Sequence, residues 1–462
     1  MIFQQYFLSC LSHASYLVGD EGSGRAVVVD PQRDVSAYLA DAAASGLRIE
    51  RVIETHFHAD FLSGHLELAG STGAEICYGE PAQADFPITI LRDRQRIDLG
   101  DVQIEVWSTP GHTPESISLV VYQHRDDSEP YAVLTGDTLF IGDVGRPDLL
   151  AAAAMTAQDM ARSLYHSLHD RLLSLPDSTR VFPAHGAGSA CGRSLSTESS
   201  STIGVQRRTN YALAPMEEAT FVAMVTEGQP PAPPYFAFDA ARNRQSRPLL
   251  DEATPLRSLD VDEVLQLQDA GGVLLDTREP ADFAAGHLRG SLNVGLSGRF
   301  AEYTGDVLRP DTRVAILADE GHEQEAMIRL ARVGFDDVAG HLARPTAAFL
   351  AHPELVEQAS RITAAELARR MRGGLEPALV DVRSPGELHD GMVAGAVNIP
   401  LAQLAARIEE VDVSRPVVLY CRSGFRSSIA ASLVRRAGAP DVSDIIGGYD
   451  AWLLQASLPS AV

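Results

Sequence analysis

The sequence predicts a multidomain chain of mixed α/β and α+β class, and three observations predict it. Its 462 residues allow about three domains at roughly 150 residues each. In the first half, four apolar strand-like runs each stop at a His or Asp, three of them beside Gly or Pro. In the second half, the segment Asp276–Asn293 returns as Asp381–Asn398, so one module occurs twice. Two copies with alternating strand and helix signals predict small doubly wound parallel-sheet domains; a solenoid needs about three or more shorter repeats.

The first 30 residues alternate apolar and polar, turn at Gly19–Gly24 and resume with Ala26-Val-Val-Val-Asp30, an opening hairpin pattern. A helix is predicted over Asp34 to Gly46. Arg51-Val-Ile-Glu-Thr55 then has the β-branched content of a buried strand, and His56, His58 and Asp60 leave its end at alternate positions. Loops at such strand ends commonly carry chemistry, and all three side chains bind metals through nitrogen or oxygen. A helix follows from about His65 to Gly70. Strands around Ile88–Leu91, Val102–Ser108 and Ile117–Tyr122 lead to His112 and Asp137, and Val181-Phe-Pro-Ala leads to His185. Four strand ends that deliver His or Asp describe a built metal site. The helix predicted over Thr156 to Leu175 has Leu or Met on one face, and its His166 and His169 read as solvated surface residues. After His185 a glycine-rich turn carries Cys191, which reads either as a sulfur-accepting or gating thiol or as an inert one. Gly228–Pro234 is a stiff, Pro-rich approach to a boundary.

Composition narrows the function. A formal charge of -24 argues against nucleic acid, whose phosphates require clustered Lys and Arg. No apolar run reaches the length of a membrane span, and the N-terminus lacks a basic n-region and cleavage site, which predicts a cytoplasmic chain without a membrane partner. Cysteines at 10, 77, 191 and 421 have no paired spacing of a disulfide or zinc framework.

The four ligand-bearing segments make residues 1–250 resemble the metallo-β-lactamase superfamily, whose αββα sandwich holds metal at one edge of two sheets. In its dinuclear members the first motif reads HxHxDH. Here Phe61 stands at the last position, and a phenyl ring has no lone pair to offer a second metal. One remaining metal suits the persulfide dioxygenase branch, in which Fe(II) is held by two His and one carboxylate. The resemblance implies one iron on His56, His112 and Asp137, with zinc as an occupant on purification. It assigns His58, Asp60 and His185 to orienting ligands or water. Gly142–Leu149 resembles the substrate-side loop; Arg146 could pair there with a substrate carboxylate or with an internal acid.

The repeats resemble rhodanese domains, over 256–350 and 358–462. In the second, Pro416-Val-Val-Leu-Tyr-Cys421-Arg-Ser-Gly-Phe-Arg426 is a strand, a Cys loop and a helix start. Backbone N–H groups there, with Arg422 and Arg426, favour a thiolate and then a persulfide on Cys421. The C-x4-R spacing is one residue shorter than the phosphate loop of cysteine phosphatases, which favours sulfur transfer. Asp381, Arg383 and Glu387 read as bracing. Aligning Gly321 with Gly424 puts Ala318 at the cysteine position and Glu323 at that of Arg426, so the first module is expected to be catalytically dead.

The whole then resembles persulfide dioxygenase-rhodanese fusions of sulfide detoxification. The expected reaction oxidises a low-molecular-weight thiol persulfide with O2 to sulfite, and Cys421 forms or uses thiosulfate. The linked modules suit a homo-oligomer. The alternatives are a glyoxalase II-like zinc thioester hydrolase and a non-enzymatic sulfur carrier or scaffold.

Overall fold

The computed structural model describes residues 1–149, 155–193, 195–229 and 231–457. Ser194 of the glycine-rich turn, Pro230 of the proline-rich stretch and the end of the expected last module (458–462) lie outside the described residues. The chain forms two compact units, 1–232 with 236–251 and 233–235 with 252–462.

The first unit is built on the two-residue period of its strands. Its first sheet has the order β1 (Ile2–Leu8), β2 (His13–Asp20), β3 (Arg25–Val29), β4 (Arg48–Ile53), β5 (Glu75–Gly79), β6 (Thr89–Leu91). The second contains β7 (Arg96–Asp98), β8 (Gln103–Ser108), β9 (Ile117–Tyr122), β10 (Ala132–Gly136), β11 (Arg180–Pro183) and β12 (Ser201–Thr202), in reverse order. The opening hairpin extends into a three-stranded antiparallel run, and β3 to β6 then pair in parallel. Along β9, Leu119 and Val121 enter the core between the sheets while Val120 faces outward. Val27 and Val29 of β3 meet the same inner core, and Val28 packs outward against Tyr38 and Ala42 of helix Ser36–Ala44. Helices cover the outer face of each sheet, which makes the αββα sandwich.

The long helix expected over Thr156–Leu175 changes pitch on the way. Thr156 and Asp159 form a capping box on helix Ala157–His166, which widens over Ser167–Arg171 and tightens over Leu172–Ser174. His166 is exposed, but His169 departs from the expected solvated position. Its ring stacks on Tyr165 at 4.3 Å and its Nε2–H donates to the Ala212 carbonyl.

The second unit contains two five-stranded parallel sheets of matching order. One runs β13 (Ser258–Leu259), β18 (Val338–Leu342), β17 (Val314–Leu317), β14 (Val273–Asp276), β16 (Leu292–Asn293). The other runs β20 (Ser360–Thr363), β24 (Val442–Ile446), β23 (Val417–Tyr420), β21 (Ala378–Asp381), β22 (Val397–Asn398). The middle strands β14, β17, β21 and β23 are buried along their whole length, as parallel strands covered on both faces must be. Between the modules, β15 (His287–Leu288) pairs antiparallel with β19 (Val356–Glu357). Among the described residues no helix is long and apolar enough to cross a membrane.

Candidate metal centre and cysteine loop

The ends of β4, β8, β10 and β11 bring His56, His112, Asp137 and His185 to one edge of the sandwich. Backbone bonds from Ala14 to Ala184 and from Gly186 to Ser12 fasten the start of β2 to the His185 loop there. Thr55 fixes the first ligand. Its N–H and hydroxyl both donate to Asp30, so the hydroxyl oxygen is left to accept from His56 Nδ1 at 3.0 Å. His112 Nδ1–H donates to the Arg146 carbonyl at 2.9 Å. In both rings the proton therefore sits on Nδ1, and Nε2 presents a bare lone pair. These lone pairs converge on Asp137 Oδ2, at 3.7 Å from His56 and 3.5 Å from His112.

The donor set fits a metal ion. The ligand atoms of His56, His112 and Asp137 lie within 4.8 Å of one another and are buried. His56 Nε2 and Asp137 Oδ2 have no hydrogen-bond partner, a costly condition for buried polar atoms unless a cation takes their lone pairs. Burial and the neighbouring histidines hold His56 well below its ordinary pKa and hence neutral. Burial opposes ionisation of Asp137, but His185 and His112 overcome it and keep the carboxylate charged.

The surrounding residues divide into two networks. His185 donates from Nδ1 to Asp137 Oδ1 at 2.8 Å, and its Nε2 lies 2.7 Å from Asp60. Burial disfavours its charge, yet the two carboxylates raise its pKa strongly. His58 turns to Asp30 at 3.1 Å and to Glu54 at 3.4 Å. Burial opposes protonation there too, and the acids lift its pKa to about 10. Alternate positions of one motif thus serve different networks. Phe61 is fully buried, its ring 4.4 Å from His58 and 4.1 Å from His13.

Arg146 is buried and pairs with Asp148 through bonds of 3.0 and 2.7 Å, the internal arrangement, while its carbonyl holds His112. Cys191 is also buried, with Sγ in reach of Asp60 and His185. Burial and the carboxylates of Asp60 and Asp137 push its thiol well above the ordinary range, the reverse of an activated nucleophile.

Sequence reasoning missed Asp30, Glu54 and His13. Asp30 carried a signal, since it closes an apolar run as Asp137 does. Glu54 reads as an ordinary strand residue, and His13 reaches the edge only by the pairing of β2.

In the second unit Cys421 follows β23 and is buried. The Gly424 N–H donates to Sγ at 3.1 Å, and Ser427 Oγ lies 3.7 Å away. Gly424 has φ +95°, a left-handed conformation that suits glycine, and an added Cβ would sit 2.9 Å from the Gly447 nitrogen. Arg426 makes two 2.7 Å bonds to Glu387, and Arg422 pairs with Asp390 at 2.7 Å and Asp450 at 3.0 Å. Both cations expected to favour the thiolate are thus partly neutralised. In the first module Ala318 follows β17 in the same way and Gly321 has φ +89°. There the Gly321 N–H donates instead to Glu323 at 2.9 Å.

Fold and site define an enzyme of the metallo-β-lactamase type, with a metal-binding group of residues, joined to two rhodanese-like modules. The metallo-beta-lactamase superfamily model matches residues 8–185, and the rhodanese-like domain model matches 260–344 and 363–455. The chain is 33% identical to mitochondrial persulfide dioxygenase ETHE1 of Bos taurus over 37% of its own length and 63% of that protein's. It is 31% identical to the Homo sapiens counterpart over 40% and 68%. A metallo-beta-lactamase structure from Staphylococcus aureus superposes with a TM-score of 0.66 at 31% identity, covering 74% of this chain and 98% of that one. The chain belongs to the metallo-beta-lactamase superfamily, in a form that carries two rhodanese-like domains.

Proposed function

We propose that the first unit is a one-iron persulfide dioxygenase and that the second unit transfers sulfane sulfur through Cys421. The overall reaction is RSSH + O2 + H2O giving RSH and sulfurous acid: the outer sulfur loses four electrons, O2 gains them, and the inner S–S bond breaks. Iron supplies the O2 chemistry that side chains lack. His56, His112 and Asp137 would hold it, and the observation that carries the reading is the convergence of the unpartnered His56 Nε2 and Asp137 Oδ2 with His112 Nε2. Thr55, the Arg146 carbonyl and His185 fix the orientation of these three ligands. His58 and Phe61 favour a single position, because one is committed to carboxylates and the other cannot bind. Cys421 persulfide would pass its outer sulfur to sulfite, giving thiosulfate and the Cys421 thiolate, while the Gly424 N–H stabilises the thiolate.

The test is metal analysis of anaerobically purified protein with O2 uptake on glutathione persulfide, repeated for Cys421→Ser. We expect about one iron per chain, O2 uptake in both proteins and sulfur transfer only in the wild type. Two zincs, with thioester hydrolysis and no O2 uptake, would replace this reading; equal loss of both activities in the variant would defeat the division of labour.

A further inference from the structure

A basic cavity of the second unit lies at the far end of helix Arg426–Arg436 from the Cys421 loop, on the seam between the two modules, and has a volume of about 680 Å³. It is lined from the first module by His287, Arg289 and Ser291, and from the second by Arg435 and Arg436 at the end of helix Arg426–Arg436. The two adjacent arginines are held only by backbone carbonyls. Arg435 donates to Gln358 at 2.7 Å and to Val442 at 2.9 Å; Arg436 donates to Gly290 at 2.7 Å and Gly272 at 3.3 Å. Neither forms an ion pair among the described residues, in a chain of net charge -24 that has carboxylates to spare.

The cavity's own acids do not cancel them. Glu357 is engaged by Arg289 at 2.8 Å, which leaves Asp441 against two guanidinium groups. Burial lowers the pKa of both arginines. For Arg435 the acids Glu357, Asp441 and Asp444 oppose that shift, and for Arg436 no acid does. A guanidinium has five N–H donors in a planar fork, so each retains donors after bonding two carbonyls. Phe283, also on the wall, stacks on His287 at 3.8 Å and adds an apolar surface.

We propose that this seam binds an oxyanion-bearing small molecule, its anionic group held by Arg435 and Arg436. The volume falls in the 300–1,000 Å³ range of small-molecule sites and exceeds what a lone oxyanion fills, so a phosphate ester of nucleotide size is the favoured class. Because both modules and the segment joining them line the site, the ligand would bind across the repeat. This site is independent of the metal reading.

Calorimetric titration of the full-length protein with adenosine 3′,5′-bisphosphate and, separately, inorganic phosphate tests the proposal. Saturable binding of the bisphosphate is expected, weakened about ten-fold or more by Arg435→Gln with Arg436→Gln. Pro440→Glu places a carboxylate at an exposed position on the cavity wall without touching the arginines, and should weaken binding as well. It decides the matter if the arginine variant does not fold. Equal affinity for inorganic phosphate would assign the site to free oxyanions. No saturable binding of either probe, or affinities that the folded variants leave unchanged, would overturn the proposal.

Discussion

His56 and His112 each have their two nitrogens assigned to different duties, and the assignment follows from the acceptors around them. A carbonyl can only accept, so His112 must donate from Nδ1; Asp30 takes the Thr55 proton, so His56 must donate to Thr55. The spacing of the motif treats His56 and His58 alike, and it is the family resemblance that assigns His56 to the metal and His58 to a supporting role. In the fold that choice rests on Asp30 and Glu54, brought beside His58 by neighbouring strands. Asp306 gives a residue-scale prediction about pH. Burial first, and Glu302 second, raise its pKa to about 7, while Arg299 and Arg426 partly offset them. The native state therefore binds this proton more tightly than the unfolded chain, whose Asp titrates near 3.9. Its contribution to stability is complete below about pH 3.9 and is lost as pH rises through 7. Because the side chain is partly exposed, Asp306→Asn should gain only about 1–2 kcal/mol more at pH 8 than at pH 5. Thermal melts at the two pH values measure this, and an equal effect at both would contradict the shift.

At the scale of elements, the strand ends were the most legible feature. An apolar run that stops at Gly or Pro marks where a chain leaves a sheet; β8, β10 and β11 do so, and β4 ends at the same edge with a run of polar ligand-type residues. The changes of helical pitch over Ser167–Ser174 were not legible, since the Leu and Met spacing there fits one continuous helix. The Cys loop and its counterpart in the first module keep one backbone turn with different hydrogen-bond partners. In β23 and its following helix the Gly424 N–H points to sulfur; after β17 the equivalent Gly321 N–H is taken by Glu323. Restoring the nucleophile alone should therefore fail. In a Cys421→Ser background, Ala318→Cys should acquire no persulfide from thiosulfate by mass spectrometry, because the N–H is occupied and the carboxylate disfavours thiolate. Adding Glu323→Arg should permit loading. Persulfide on Ala318→Cys alone would show that the acidic loop is not what silences this module.

At the scale of the whole molecule, the His56, His112 and Asp137 cluster and the Cys421 loop belong to two separate compact units. Chelation under anaerobic conditions should lower the melting transition of the first unit, by about 3–4 kcal/mol for a metal present at 100 to 1,000 times its dissociation constant, and leave the second unmoved. Differential scanning calorimetry checks this; a shift of the second transition would place a metal outside His56, His112 and Asp137. The sequence by itself determined the class of fold, the duplication and the kinds of ligand, because hydrophobic period, repeat and side-chain chemistry are local properties. Tertiary structure alone decided that His58 meets two carboxylates, that Arg146 is spent on Asp148, and that Arg435 and Arg436 meet at one cavity while bonding backbone carbonyls. These depend on which distant residues share a dielectric environment and a hydrogen bond, and strand pairing sets that while sequence spacing does not.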